Sequence, residues 1–445
     1  MKCRVRGLLP TALALLSVLA PGALTAAEPP RFRLTLSEAV DRALAASARL
    51  RALEQMEAGA AADLRGARAE RMPAVDLRAG YTRRSDVPEL TIATPGGPPR
   101  TIFPNLPDNY SARLGLSLTL YAGGRIAAAV EAARENQEAA GKEREAARQD
   151  LVLETHAAYW GLVTARESER VLSEGLAAFE AHLKDARNRQ SVGMAAANEV
   201  LAVQVERDRA ELRRLRAENA AELAEANLLR LLDLDFGTVL EAADSLETAP
   251  APSQDLEALV SAAVESRPER SRQEALIRAA EARVRIQRAA RLPQVSAAAG
   301  FDHANPNRLI LPAEAEWNHT WDLGLQVSLK VFDGGRTSAA VARAQAEAEA
   351  GRHRLEDLDR QIRLQVTGAH LDLRAAQAAV GVANQGLGAA RENHRVSQDR
   401  YREGVIPSSE LLDASVALLQ AGLDRTQALA QVCIAAAELD RAVGR

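Results

Sequence analysis

Two hydrophobic patterns take turns along this chain. The first has period two: Val75, Leu77, Ala79 and Tyr81 alternate with Asp76, Arg78, Gly80 and Thr82, and Ala112, Leu114, Leu116, Leu118 and Leu120 alternate with Ser111, Arg113, Gly115, Ser117 and Thr119. It returns with Val295, Ala297, Ala299 and Phe301, then with Trp321, Leu323, Leu325, Val327, Leu329 and Val331 set against Asp322, Gly324, Gln326, Ser328 and Lys330. Successive side chains of a strand point to opposite faces, so each run predicts a strand with one apolar and one polar face. A soluble sheet covering a core produces this pattern. An outer-membrane barrel, apolar toward lipid and polar toward a wet lumen, produces it too. Run lengths of about 9 to 13 residues match a tilted strand crossing a bilayer and favour the barrel. Tyr81, Phe301, Trp317 and Trp321 are placed to form interfacial girdles.

The second pattern is helical. No proline occurs between Pro107 and Pro250 or between Pro312 and Pro407, which leaves room for very long helices. Ile362, Val366, Ala369, Leu373, Ala376, Val380, Ala383, Leu387, Ala390, His394, Ser397 and Tyr401 step by four and three, the seam of a coiled coil. A helix from about Arg336 to Arg402 would be roughly 100 Å long at 1.5 Å per residue. Leu151, Ala158, Leu162, Ala165, Leu172, Leu176, Phe179, Leu183 and Ala186 form the same ladder 211 positions earlier, as Leu151 to Ile362 shows.

Other landmarks recur. MPAVDLRAGY from Met72 matches LPQVSAAAGF from Leu292, and LYAGGRIAAA matches VFDGGRTSAA. The chain therefore reads as an internal duplication. The first repeat covers residues 28–235 and the second 256–445, joined by a linker at 236–255. Each runs helix, strand, loop, strand and long helical hairpin, with hairpin tips near 188–198 and 402–408. The first-copy loop, TPGGPPRTIFPNLPDN, is expected to be irregular because of its proline and glycine content. The joints Gly123, Gly124, Arg125 and Gly334, Gly335, Arg336 are expected to turn a membrane strand into a helix, glycine permitting the unusual backbone. Four strands cannot close a barrel, for which eight is the usual minimum, so several chains must share one wall.

Composition fits long helices packed through small side chains: only 3% of the 445 residues are aromatic, while 47% are apolar. A net charge of -4, with signs well mixed, gives no basic face and argues against nucleic acid. Lys2, Arg4 and Arg6, an apolar run from Leu8 to Leu19 and Thr25-Ala26-Ala27 read as an export signal over residues 1–27. That run is shorter than a membrane anchor needs. Cys3 lies in the charged head, and Cys433 alone remains after cleavage, so no intramolecular disulfide is expected. The seven histidines are scattered and lack cysteine partners, which argues against a metal site. With no phosphate loop or nucleophile elbow, neither a cofactor nor an enzyme is expected.

FRLTLSEAVDRAL, the MP and LP junctions, the two GGR joints, and the tip motifs RQSVGMAAANEVL and YREGVIPSSELLDA together resemble the TolC-like outer-membrane efflux proteins. The resemblance implies an α+β membrane protein with four membrane strands per chain. It further implies a homotrimer in the outer membrane of a Gram-negative bacterium, with a twelve-stranded barrel continued by a periplasmic tunnel of helices. The implied role is an exit duct for efflux or type I secretion. Its partners would be outer-membrane lipid, a periplasmic adaptor and an inner-membrane pump of RND, ABC or MFS type. The alternative from another class is a soluble periplasmic coiled-coil adaptor or scaffold, which explains the ladders but not the strands.

By the same resemblance, Glu410 and Asp413 match the acidic rings at the tunnel's narrow end. Their spacing puts them on one helix face; first-turn acids favoured by the helix dipole are the plainer account. Gly193 and Glu199 correspond to Gly404 and Glu410, which adds Glu199 to the expected periplasmic gate, but Ala202 stands where the second copy has Asp413. The family commonly places a basic residue two after the second tip glycine. Here that position is Ile406, which leaves a lock through Tyr401 and Asn198 and makes Arg402 the substitute for the charged link. Gly193, Met194, Gly404, Val405, Ile406 and Pro407 form the expected adaptor-docking tips, with Ser408 or Ser409 as the helix cap.

Overall fold

The computed structural model describes residues 31–246 and 255–445. The export signal with Cys3, and residues 247–254 of the linker, lie outside the described residues. The first half runs β1 (Arg31–Leu34), α1 (Leu36–Ala46), α2 (Ala48–Ala69), β2 (Ala74–Arg83), β3 (Leu90–Ile92), β4 (Arg100–Phe103), β5 (Asp108–Tyr121), α3 (Arg125–Ser191) and α4 (Ala197–Leu232). There follow β6 (Val239–Ala242), α5 (Leu256–Ser266), α6 (Pro268–Ala289), β7 (Gln294–Asn305), β8 (Asn318–Ser328), α7 (Arg336–Arg402) and α8 (Ser408–Val443). Both α3 and α7 are 67 residues long, and both α4 and α8 are 36.

The strands β2, β5, β7 and β8 pair antiparallel in that order. Register places Leu77, Leu114, Phe301 and Trp321 in one row across the sheet, and Val75, Leu116, Ala299 and Leu323 in another. The next row on the other face is Arg78, Arg113, Asp302 and Thr320. There the Arg113 guanidinium bridges Asp302 and Asp322, the latter at 2.8 Å, and a Cβ at Gly300 would collide with it. The apolar rows lie bare: Leu77 is 72% exposed and Trp321 75%. A face this apolar marks a surface that meets something other than water.

Below the sheet the long helices are sheathed by shorter ones. α2 and α6 pack on α3, α6 reaches α7 as well, and α3 adjoins α4 and α8. The core at this level gathers Tyr159, Trp160, Leu162, Leu228, Leu232 and Leu240. The Tyr159 hydroxyl donates to Leu34 O and lies 2.9 Å from Asp244 Oδ2, and burial pushes it up to about 12. A second cluster joins α5, α7 and α8 through Val260, Ile362, Val366, Leu373 and Leu439. Most of the apolar ladder residues are buried, from Leu151 to Ala186 on α3 and from Ile362 to Tyr401 on α7.

Two segments differ from expectation. The loop expected to be irregular carries a small hairpin, β3 with β4, because the β-branched and aromatic residues of Leu90–Ile92 and Arg100–Phe103 close around a turn at Thr94–Gly97. The segment expected to be only a linker contributes β6, which pairs in parallel with β1, Phe32 opposite Leu240. A parallel partner needs a long crossover, and here it arrives some 200 residues later, so local composition gives no sign of it.

Candidate functional site at the hairpin tips

The joints hold backbone that glycine favours. Gly123 and Gly124 have φ of 60° and 82°, Gly334 and Gly335 of 66° and 86°, and the second of each pair begins a long helix. Arg125 reaches Glu70 at 2.9 Å, and at the second joint Asp333 accepts from the Gly335 and Thr337 amides. Arg336 is exposed at the start of α7.

At the opposite end of the long helices both turns use one backbone device. Gly193 (φ 79°) and Gly404 (φ 75°) adopt the left-handed conformation. The next amide in each case, Met194 or Val405, donates to the carbonyl five residues back, Arg189 or Arg400, a Schellman closure. Met194 and Val405 are 74% and 61% exposed. Ile406 is not: it is buried with Tyr401 and Leu411. An apolar side chain at this position packs inward, where a basic one would seek a charge. The helix cap also differs, since Pro407 occupies it and Ser408 is the first residue of α8, buried rather than capping.

Glu410 and Asp413 are exposed in the first turns of α8, with Arg400 Nη1 3.9 Å from Glu410 Oε1. Asn198 is exposed and Glu199 half-buried at the start of α4. Within the chain no hydrogen bond joins Tyr401 to Asn198: the Tyr401 hydroxyl is buried without a partner among the described residues. Within the chain Arg402 lies 4.0 Å from Asp399 on its own helix. The ring of Tyr401 instead lies under the Arg189 guanidinium and against His182. Nothing in the sequence pattern singled out His182 or Arg189, and Ser408, expected as a cap, instead faces His182. The available signal was a histidine one residue off the α3 seam.

A bare-faced sheet standing on helices of roughly 100 Å defines an outer-membrane duct. A family model described as outer membrane efflux protein matches residues 39–233 and 259–445, and the chain belongs to that family. It is 28% identical over 421 residues to protein CyaE of Bordetella pertussis, across 92% of this chain and 85% of that protein. It is 24% identical over 369 residues to the toluene efflux pump outer membrane protein TtgC of Pseudomonas putida, across 80% and 71%. The crystal structure of a membrane protein from Pseudomonas aeruginosa shares the fold with a TM-score of 0.79 at 22% identity, covering 92% of each chain. As a family member the chain is a passive exit duct of the outer membrane with a large periplasmic helical portion, not an enzyme, and it works with an adaptor and an inner-membrane pump. The alternative of a soluble adaptor or scaffold is thereby set aside.

Proposed function

We propose that three copies of this chain form one duct and that Glu410 and Asp413 gate its periplasmic end. The observation that carries the trimer is the sheet: among the described residues β2 and β8 each leave one edge unpaired beside rows of exposed apolar side chains. Unpaired strand edges are not tolerated in hydrocarbon. Pairing β8 of one copy with β2 of the next closes the wall, and three copies give about twelve strands, within the range of membrane barrels.

The gate reading rests on two exposed carboxylates three residues apart on α8, beside a turn whose counterpart on α4 has Ala202 in place of the second acid. Three copies would focus a cation-attracting field at the narrow end. The exposed surfaces of Gly193, Met194, Gly404 and Val405 offer the adaptor a small, apolar seat, with Pro407 at its margin and Ile406 beneath.

Mass measurement in mild detergent tests the assembly, with a trimer expected; a monomer that retains its strand signal would refute it. In planar bilayers the protein should carry a small cation-preferring current, blocked by di- or trivalent cations from the periplasmic side. Replacing Glu410 and Asp413 together by alanine should abolish that block, while Asp76→Ala in the sheet should leave it. Persistent block in the double variant would place the constriction elsewhere.

A further inference from the structure

The two hairpins meet around one buried histidine. His182 of α3 is 8% exposed, and its Nε2 lies 3.1 Å from Oγ of Ser408, itself 2% exposed at the first position of α8. The other ring nitrogen, Nδ1, is buried without a hydrogen-bond partner among the described residues, as is the hydroxyl of Tyr401, whose ring meets His182 edge-on at 5.3 Å between centroids. Arg189, two turns further along α3, closes the group. Its guanidinium sits 4.3 Å from the centre of the Tyr401 ring and donates to the Arg402 carbonyl at 3.3 Å. One face of α3 thus grips the second turn on both sides, at Tyr401 and Arg402 before it and at Ser408 after it.

We propose that His182 is a positioning residue for the gate: as a neutral ring it pins the first turn of α8 against α3, and its protonation in mild acid frees that turn and opens the periplasmic end. The proposal rests on the gate reading above, since the turn that is held carries Glu410.

The chemistry follows from the two ring nitrogens. A neutral ring protonated at Nε2 donates to Ser408 and leaves Nδ1 an unpaired acceptor, a smaller penalty than a buried charge. A second proton creates an N–H with no acceptor and a charge inside a packed site, both of which are costly. The groups facing the ring divide. Burial disfavours the charged form most, Asp185 on α3 favours it, and His394 on α7 and Arg189 on α3 oppose it; α8 presents the neutral Ser408 hydroxyl. The closed form therefore holds His182 below its usual value of 6.5. A base depressed in this way stabilises the closed form fully above its ordinary value, and the contribution fades as pH falls beneath it.

Two readouts on the full-length protein test this. In planar bilayers the current should rise about fivefold from about pH 7.5 to about pH 5.5. His182→Gln keeps a donor for Ser408 and cannot titrate in this range, so its current should stay low at both values. If His182→Gln still opens with acid, the Glu410 and Asp413 carboxylates are the sensor and the proposal is overturned. Ser408→Ala removes the acceptor and should raise the current already at about pH 7.5; an unchanged current there also overturns it.

The second readout does not depend on conduction. A bimane on Met194→Cys and a quenching Trp at Val405→Trp report the approach of the two turns, which Arg189 links through its bond to Arg402. Quenching should relax with acid in the parent and persist in His182→Gln. Quenching indifferent to pH refutes the latch whatever the current does. Quenching that relaxes while no current flows at any pH supports the latch and refutes the gate reading instead.

Discussion

The two hairpin turns share a backbone and differ in what they bury. Gly193 and Gly404 hold nearly the same φ, and the same five-residue closure follows each. At the first turn Gln190 is exposed and Ala195 half-buried, whereas their counterparts at the second, Tyr401 and Ile406, are 6% and 7% exposed. The contrast continues at the far ends of the hairpins. Arg230 near the end of α4 pairs with Glu154 in the open, both about half exposed. Arg441, 211 positions later on α8, is 11% exposed and joins Glu269 and Asp150. α8 is anchored at both ends and α4 at neither in the same way. Equivalent backbone therefore does not mean equivalent packing: the turn that carries two acids is also the one fastened to its neighbour.

Substitutions at the turns should widen that contrast most. Tyr401→Ala removes a buried ring and should cost about 3 kcal/mol locally. Amide exchange across residues 401–411 should accelerate markedly, while Val192→Ala, at an exposed site, should leave residues 192–200 unchanged. Equal effects at both turns would break the comparison.

At the other end, Arg441→Ala leaves two carboxylates short of a half-buried partner and should cost about 2 kcal/mol. Arg230→Ala, removing an exposed pair, should stay within about 0.5 kcal/mol. Thermal loss of helical signal in detergent measures both.

Where the turns are alike, they should respond alike. Gly193→Val and Gly404→Val each force a branched side chain into left-handed backbone, at about 1–2 kcal/mol. Both should leave the protein in the membrane and reduce export. A loss confined to Gly404→Val would mean that only the second turn docks.

The smallest expected effect is one of pH. Burial alone would raise the Glu269 carboxyl, but hydrogen bonds from Arg267 and Arg441 overcome it and hold the group at about 2, below the ordinary 4.5. A carboxylate depressed in this way contributes fully above its ordinary value and less as pH falls toward the depressed one. The thermal midpoint should therefore decline between about pH 4.5 and pH 2, and the decline should be shallower in Glu269→Gln.

Periodic signals carried much of this molecule into view. The proline-free stretch and its heptad ladder predicted a helix from Arg336 to Arg402, and α7 has those bounds. Period-two runs located β2, β5, β7 and β8, because alternation is a property of neighbours in sequence. The glycines of the turns and joints were equally legible, since positive φ is a demand made by one residue on its own backbone.

What the sequence hid depends on partners far away. β6 looked like linker because its partner strand begins at Arg31. Ile406 stood in a docking tip by position, yet it packs under Tyr401. Within one chain Tyr401 makes no hydrogen bond to Asn198, and a contact that no local pattern announced joins His182 to Ser408 across 226 residues. The sequence by itself determined the long helices, the strands β2, β5, β7 and β8 and the glycine turns, because their causes lie within a few residues. Tertiary structure alone decided which turn is held and by what: burial and hydrogen bonding between distant side chains depend on how whole helices lie against one another, and no local pattern records that.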